Sequence, residues 1–233
     1  KGGAALAISQ SGESLDTLMA MRHASELGLK SVGIVNVPES TIAREADLVL
    51  PTRAGPEIGV ASTKAFTAQL TVLFSLAIRL GLKRGHLTAA QADIYETILL
   101  GLPGAVGQAI SQFESVRTVS QYLKRAESCL FLGRGPLYPL ALEAALKLKE
   151  LSYIHAEGFA AGEMKHGPIA LIEDGLPVIC LLDHHELSAK TISNLKEAEA
   201  RGADIILIST QSAAEKVDFA KHKIVIEDCN PMI

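Results

Sequence analysis

Short runs of small and β-branched residues alternate along this chain with longer segments whose apolar residues recur at helical spacing. That alternation implies an α/β fold with a mostly parallel sheet covered by helices on its faces. Strands are expected over residues 4–9, 31–36, 47–50, 128–132, 177–182, 204–209 and 223–226. Their nearly continuous apolar character suits strands buried on both sides. Helices are expected over 15–27, 63–80, 88–100, 105–126, 137–152 and 187–201.

Residues 81–126 hold no strand pattern and are interrupted at Leu102-Pro103-Gly104, so they read as a helical connection between two sheet units. The boundary is set near Arg84, giving units 1–84 and 85–233. An approximate internal repeat supports this division. Residues 4–36 and 178–209 each run strand, polar turn, amphipathic helix, glycine (Gly28 or Gly202), strand.

With 233 residues, 48% of them hydrophobic, the chain can bury a sizeable core. Its 22 basic and 26 acidic residues are intermixed and give a net charge of -4, a balance that argues against nucleic acid as a partner. Cys129, Cys180 and Cys229 are far apart and form no C-x-x-C pair, so they read as reduced thiols of a cytoplasmic protein. No apolar run approaches the roughly 20 residues a bilayer requires, since even residues 70–80 carry Ser75 and Arg79, so no membrane is expected. Lys1-Gly2-Gly3 leads straight into an apolar run, and Asn230-Pro231-Met232-Ile233 stops just after a strand-like one; both ends suggest a fragment.

The two copies of the repeat differ in their turns. In the first, Ser9-Gln10-Ser11-Gly12-Glu13-Ser14 follows a strand and opens a helix, where ligands of open α/β sheets bind. The hydroxyls of Ser9, Ser11 and Ser14, the Gln10 amide and the free N–H groups of the helix start could together hold a phosphate, with Gly12 letting the backbone approach. The competing reading is that Ser11 or Ser14 simply caps the helix. In the second copy the turn is Asp183-His184-His185-Glu186, with two acids and no glycine, which disfavours an anion. Adjacent histidines in a turn diverge, so this segment reads as a solvated turn rather than a metal site.

Residues 140–151 are apolar nearly all round, which marks a buried helix, yet they include Glu143, Lys147 and Glu150. At about 100° per residue, Lys147 and Glu150 lie at roughly +40° and −20° from Glu143, so the three share one stripe. A Glu143–Lys147 ion pair accounts for two of them. Glu150 is the candidate base, because a desolvated carboxylate has a raised pKa suited to proton transfer. Downstream, His166 ends a short turn stopped by Gly167-Pro168; it reads either as a capping or core histidine or as an acid–base group.

Together these segments resemble the sugar-isomerase (SIS) domain family over essentially the whole chain. The resemblance is carried by three segments. The first is Ser9-Gln10-Ser11-Gly12-Glu13-Ser14, and the second is Ala54-Gly55-Pro56-Glu57-Ile58-Gly59-Val60-Ala61-Ser62-Thr63-Lys64. The third is Ala141-Leu142-Glu143-Ala144-Ala145-Leu146-Lys147-Leu148-Lys149-Glu150 with His155-Ala156-Glu157 and Lys165-His166-Gly167-Pro168. The first occurs across the family. The others resemble the branch that makes glucosamine 6-phosphate from fructose 6-phosphate and glutamine.

The resemblance implies two doubly wound, flavodoxin-like units of three α/β/α layers, the first lacking its opening strand and helix. It implies that Ser9, Gln10, Ser11 and Ser14 hold the phosphate of a hexose 6-phosphate, with Ser14 standing where the family often has threonine. Val60 and Ser62 then contact the sugar. Glu150 moves a proton between C1 and C2, Lys147 orients or stabilises the charged intermediate, and His166 reaches in from the other subunit of a homodimer to assist ring opening. Neither a metal nor an organic cofactor is implied. A glutaminase domain upstream and a Schiff-base lysine beyond Ile233 belong to the longer family pattern. Other readings stay open: a stand-alone phosphosugar isomerase or aminosugar-phosphate deaminase, and a non-catalytic sugar-phosphate sensor. A sensor would keep the serine loop and dispense with Lys147, Glu150 and His166.

Overall fold

Helices and strands alternate as the apolar patterning requires, and a computed structural model describes them over residues 2–228. The chain forms two compact units, Lys1–Leu99 and Leu100–Ile233. Cys229 and the Asn230-Pro231-Met232-Ile233 terminus lie outside the described residues.

The first unit runs β1 (Ala4–Ser9), α1 (Leu15–Glu26), β2 (Lys30–Val35), α2 (Thr41–Glu45), β3 (Leu48–Pro51), α3 (Lys64–Lys83) and the first half of α4 (Ala89–Ser111). Its three strands are parallel in the order β1-β2-β3, with Ala4 opposite Lys30 and Val32 opposite Leu48. Ala7, Leu18, Met21, Val35 and Ile42 form the core beneath α1 and α2. Asp47 ties the starts of β2 and β3. One of its carboxylate oxygens lies 2.7 Å from Lys30 Nζ, and the other accepts the Ser31 N–H at 2.9 Å. The bond from Lys30, reinforced by the Ser31 donors, draws its pKa down to about 2.

Two expectations change in the helical connection. Among the described residues, α3 is the one helix long and apolar enough to cross a membrane by length and composition, despite Ser75 and Arg79. Ser75 does not interrupt it because its hydroxyl bonds back to the Thr71 carbonyl at 2.8 Å, as serine readily does within a helix. On one side α3 meets α4: Arg79 pairs with Glu96 at 3.6 Å, and Phe74 meets Tyr95 edge-to-face at 5.8 Å. These contacts hold the first half of α4 to α3, and the division between units accordingly falls within α4 rather than near Arg84. The second change is at Pro103, which lies inside α4 instead of breaking it. The proline is exposed there, so water can satisfy the carbonyl whose donor it removes. The break comes instead at Gln112.

The second unit runs α5 (Phe113–Leu123), β4 (Ser128–Gly133), α6 (Leu137–Ser152), β5 (His155–Ala160), 3₁₀ turns over Ala161–His166 and Pro168–Leu171, β6 (Pro177–Leu182), α7 (Ser188–Glu199), β7 (Asp204–Thr210), α8 (Gln211–Ala214) and β8 (His222–Ile226). All five strands are parallel, in the order β5-β4-β6-β7-β8. Alternate residues feed two cores. Leu130, Leu132, Val178, Cys180 and Leu207 face α7, while Cys129, Phe131, Ile179 and Ile206 face α5 and α6. This gives the three layers of a doubly wound unit, and the winding reverses between β4 and β6. The edge strand β5 is absent from the sequence expectation, while α2 and α8 are too short to show a helical period.

Candidate functional site

The loop after β1 is built around Gly12. Its φ is +68°, and a Cβ placed on it would lie 2.0 Å from the Ser40 hydroxyl, so a glycine is required for both conformation and space. The Gly12 N–H donates to Ser9 Oγ at 3.0 Å, and the Gly12 carbonyl accepts from the Ile42 N–H at 3.0 Å. Glu13 accepts the Thr41 N–H at 2.7 Å, and that bond holds its carboxyl below the usual range. The loop is thus clamped to the start of α2, leaving Ser9, Gln10, Ser11 and Ser14 on one turn at the carboxyl end of a strand.

Ser14 stands at the N-cap of α1, yet its side chain makes no capping bond. Its hydroxyl lies 2.9 Å from that of Ser9 instead. Ser11 Oγ accepts the Glu13 N–H at 3.2 Å, within the loop. The capping reading therefore fails for both serines, and the first-turn amides of α1 have no side-chain acceptor among the described residues. Hydroxyls and helix-start N–H groups facing one turn suit an anion with several oxygens.

Asn36, just after β2, holds the loops around the serine turn and was missed by the sequence reading. Its own N–H donates to the Gln10 carbonyl at 3.1 Å, while its side-chain amide donates to the Gly55 carbonyl at 2.7 Å. Its side-chain oxygen accepts from the Ala54 N–H at 2.8 Å. One side chain thereby fixes the start of the loop that carries Val60 and Ser62 beside the serine turn. Further along, Glu57 accepts the Ala65 N–H at 3.1 Å and caps α3, a task that Thr63 does not perform. Val60 is 91% exposed and Ser62 half-buried, so the loop presents them without burying them. An asparagine closing a strand and followed by a polar turn was the available signal.

In the second unit, Glu143, Lys147 and Glu150 do form one stripe on α6. Lys147 Nζ donates to Glu150 at 2.9 Å and lies 3.4 Å from Glu143. The bond to Glu150 raises the pKa of Lys147, and Glu143 adds to the effect. The expectation of a buried helix is corrected here. Only Ala141 and Ala145 are buried, while Leu142 is 42%, Leu146 41% and Leu151 61% exposed. The Glu150 side chain is itself 36% exposed, so it is not the fully buried carboxylate that the apolar helix leads one to expect. The apolar residues of α6 outnumber what its one contact face can cover. That face is tight: a Cβ on Gly158 of β5 would meet Leu142 Cα at 2.9 Å.

His166 ends the first 3₁₀ turn, exposed and, among the described residues, without a hydrogen-bond or ion-pair partner. It makes no such contact with the α6 stripe. In the Asp183-His184-His185-Glu186 turn the two histidines diverge. His185 Nδ1 accepts the Leu187 N–H at 2.8 Å, while His184 lies 3.9 Å from Asp228. No group of three His, Cys, Asp or Glu side chains that could hold a metal occurs among the described residues. Cys129 and Cys180 are free and buried, and burial pushes both thiols up to about 12.

Fold and loop together define a doubly wound α/β protein with a serine-rich turn at the carboxyl end of a strand. The SIS domain family profile matches residues 1–79 and 122–228, and the chain belongs to that family. It is 53% identical over 216 residues to glutamine–fructose-6-phosphate aminotransferase [isomerizing] of Zymomonas mobilis, covering 93% of this chain and 36% of that one. It is 50% identical over 233 residues to the protein of the same name from Rhizobium meliloti, covering 99% and 38%. Among solved structures, the C-terminal domain of glucosamine-fructose-6-phosphate aminotransferase from Francisella tularensis superposes with a TM-score of 0.95. That domain is 40% identical, over 98% of this chain and 65% of the other. The chain thus spans little more than a third of the length of these two curated relatives.

Proposed function

We propose that this chain is the isomerase part of an enzyme that makes glucosamine 6-phosphate from fructose 6-phosphate and glutamine. The observation that carries the reading is the serine turn: Ser14 occupies a cap position but turns its hydroxyl toward Ser9, leaving helix-start donors for a ligand. In this reading Ser9, Gln10, Ser11 and Ser14 hold the substrate phosphate, and Val60 and Ser62 contact the sugar. Glu150 carries the proton between C1 and C2, and Lys147, bonded to it at 2.9 Å, steadies the charge that develops there. The names of the relatives support the substrate, and their greater length supports a glutaminase domain in the whole enzyme.

His166, exposed and unpartnered among the described residues, assists ring opening in the partner's site of a homodimer. Light scattering on the full-length protein tests this part, and a concentration-independent monomer would contradict it. Two buried, unpaired thiols suit a reducing compartment such as the cytoplasm.

Ligand binding to the folded state alone stabilises it by about 2.7 kcal/mol at a hundred times the dissociation constant. Fructose 6-phosphate is therefore expected to raise the melting temperature and fructose to leave it nearly unchanged. Equal shifts from the two sugars would sink the loop assignment. Glu150→Gln is expected to abolish sugar-phosphate interconversion while preserving the phosphate-dependent shift, and unaltered isomerisation would remove Glu150 from the mechanism.

A further inference from the structure

The winding of the second unit reverses between β4 and β6, and the crevice at that point is where a doubly wound sheet ordinarily takes its ligand. Here the protein fills it with its own side chain. Arg134, on the loop after β4, donates from Nε to Thr191 Oγ1 at 3.0 Å and from Nη2 to Asn194 Oδ1 at 3.0 Å. Both acceptors lie on α7 and are 2% and 7% exposed. The space left in the crevice is about 10 Å³, about enough for one water. Arginine at a half-buried position is commonly matched to a carboxylate, whereas this guanidinium has only neutral acceptors among the described residues.

The third edge of the guanidinium faces the 3₁₀ turn that leads to His166. A Cβ on Gly162 would come within 3.1 Å of Arg134 Nη1, so the absence of a side chain at 162 lets the arginine lie against that turn. The same turn is held at two further points. Ala161 and Met164 are fully buried in the core that includes Leu195 of α7, and Lys165 pairs with Glu197 at 2.7 Å. His166 comes next in sequence and has no anchor of its own among the described residues. Its orientation is inherited from the residues before it.

We infer that Arg134 is a positioning residue for His166: its fork of donors fixes the guanidinium to α7, and the edge at Nη1 then backs the 161–166 turn at Gly162. The inference rests on the proposed role of His166, and the test separates the two. In the full-length enzyme, Arg134→Met keeps the apolar stem and removes the fork, while Arg134→Lys keeps the charge but cannot reach Thr191 and Asn194 together. Gly162→Ala leaves Arg134 in place and displaces its tip.

Misplacing a catalytic group by about 1 Å costs up to about a hundredfold. Arg134→Met is therefore expected to lower kcat about tenfold to a hundredfold with KM unchanged, Arg134→Lys to rescue little, and Gly162→Ala to fall between these and the parent. In a His166→Asn background the Arg134→Met change should add nothing further, because the residue it positions is gone. Equal losses in both backgrounds would overturn the inference. The His166 imidazole Cε1–H signal, followed by NMR in this chain, should shift or broaden in Arg134→Met below its melting temperature, and an unchanged signal would also overturn it. Should His166→Asn itself leave kcat intact, the role of His166 fails, while the imidazole signal still decides whether Arg134 sets its orientation.

Discussion

Replacing Gly12 by alanine tests the construction of the serine turn. A non-glycine residue at φ +68° costs about 1–2 kcal/mol from contact of its Cβ with the backbone. The new Cβ would also lie 2.0 Å from Ser40 Oγ and 2.4 Å from Ser40 Cβ, far inside van der Waals contact, so Ser40 must move. Ser40 caps α2 by accepting the Ala43 N–H at 3.4 Å. Losing such a cap costs about 0.5–2 kcal/mol, whereas replacing it by glycine costs a few tenths. Gly12→Ala should therefore destabilise the first unit by roughly 2–4 kcal/mol. Gly12→Ala with Ser40→Gly should recover all but about 1–2 kcal/mol, the left-handed backbone cost. Urea unfolding of the parent, both single variants and the double variant gives the coupling directly. Additive effects, with coupling below about 0.5 kcal/mol, would refute the clash with Ser40 as the reason for glycine.

Other outcomes follow from the same geometry. Asp47 has a folded pKa of about 2 against 3.8, so it contributes stability above pH 3.8 that fades as pH falls toward 2, and Asp47→Asn should flatten acid unfolding in that window. Lys147 has a folded pKa raised above 10.5 by its bond to Glu150. Its contribution is complete below 10.5 and fades as pH rises beyond, and unfolding of Glu150→Gln should show a shallower alkaline slope. Cys129 and Cys180, with thiols near 12, should resist alkylation at pH 8 until denaturant is added; peptide mapping that finds either labelled in the native protein would contradict their burial. Asn36→Ala should loosen residues 52–55, read as faster amide exchange at Ala54, while leaving β2 protected.

Where secondary structure is set by local patterning, the sequence was readable. Strands β1 and β6 and helix α6 begin and end where the apolar runs do. The edge strand β5 was not readable, because His155-Ala156-Glu157-Gly158-Phe159-Ala160 has no β-branched residue, and its glycine answers the close approach of α6 rather than a turn. Helix α4 passes through Pro103, where exposure lets water satisfy the carbonyl left without its donor. Within the site, the serine turn was visible as a contiguous motif. Asn36 and Ser40 were not, since each acts on a segment distant in sequence. The stripe on α6 followed from helical geometry alone, but its burial depends on what covers the helix, which periodicity does not encode.

The order β5-β4-β6 has a consequence for how the second unit is made. On a ribosome, β4 emerges well before its neighbour on the β6 side, with α6, β5 and both 3₁₀ turns still to be synthesised between them. Until β6 arrives, β4 and β5 form a two-stranded ribbon with the central edge of the future sheet unpaired, a surface prone to join the wrong strand. Cotranslational folding of this unit thus passes through a vulnerable interval that ends only when β6 is made.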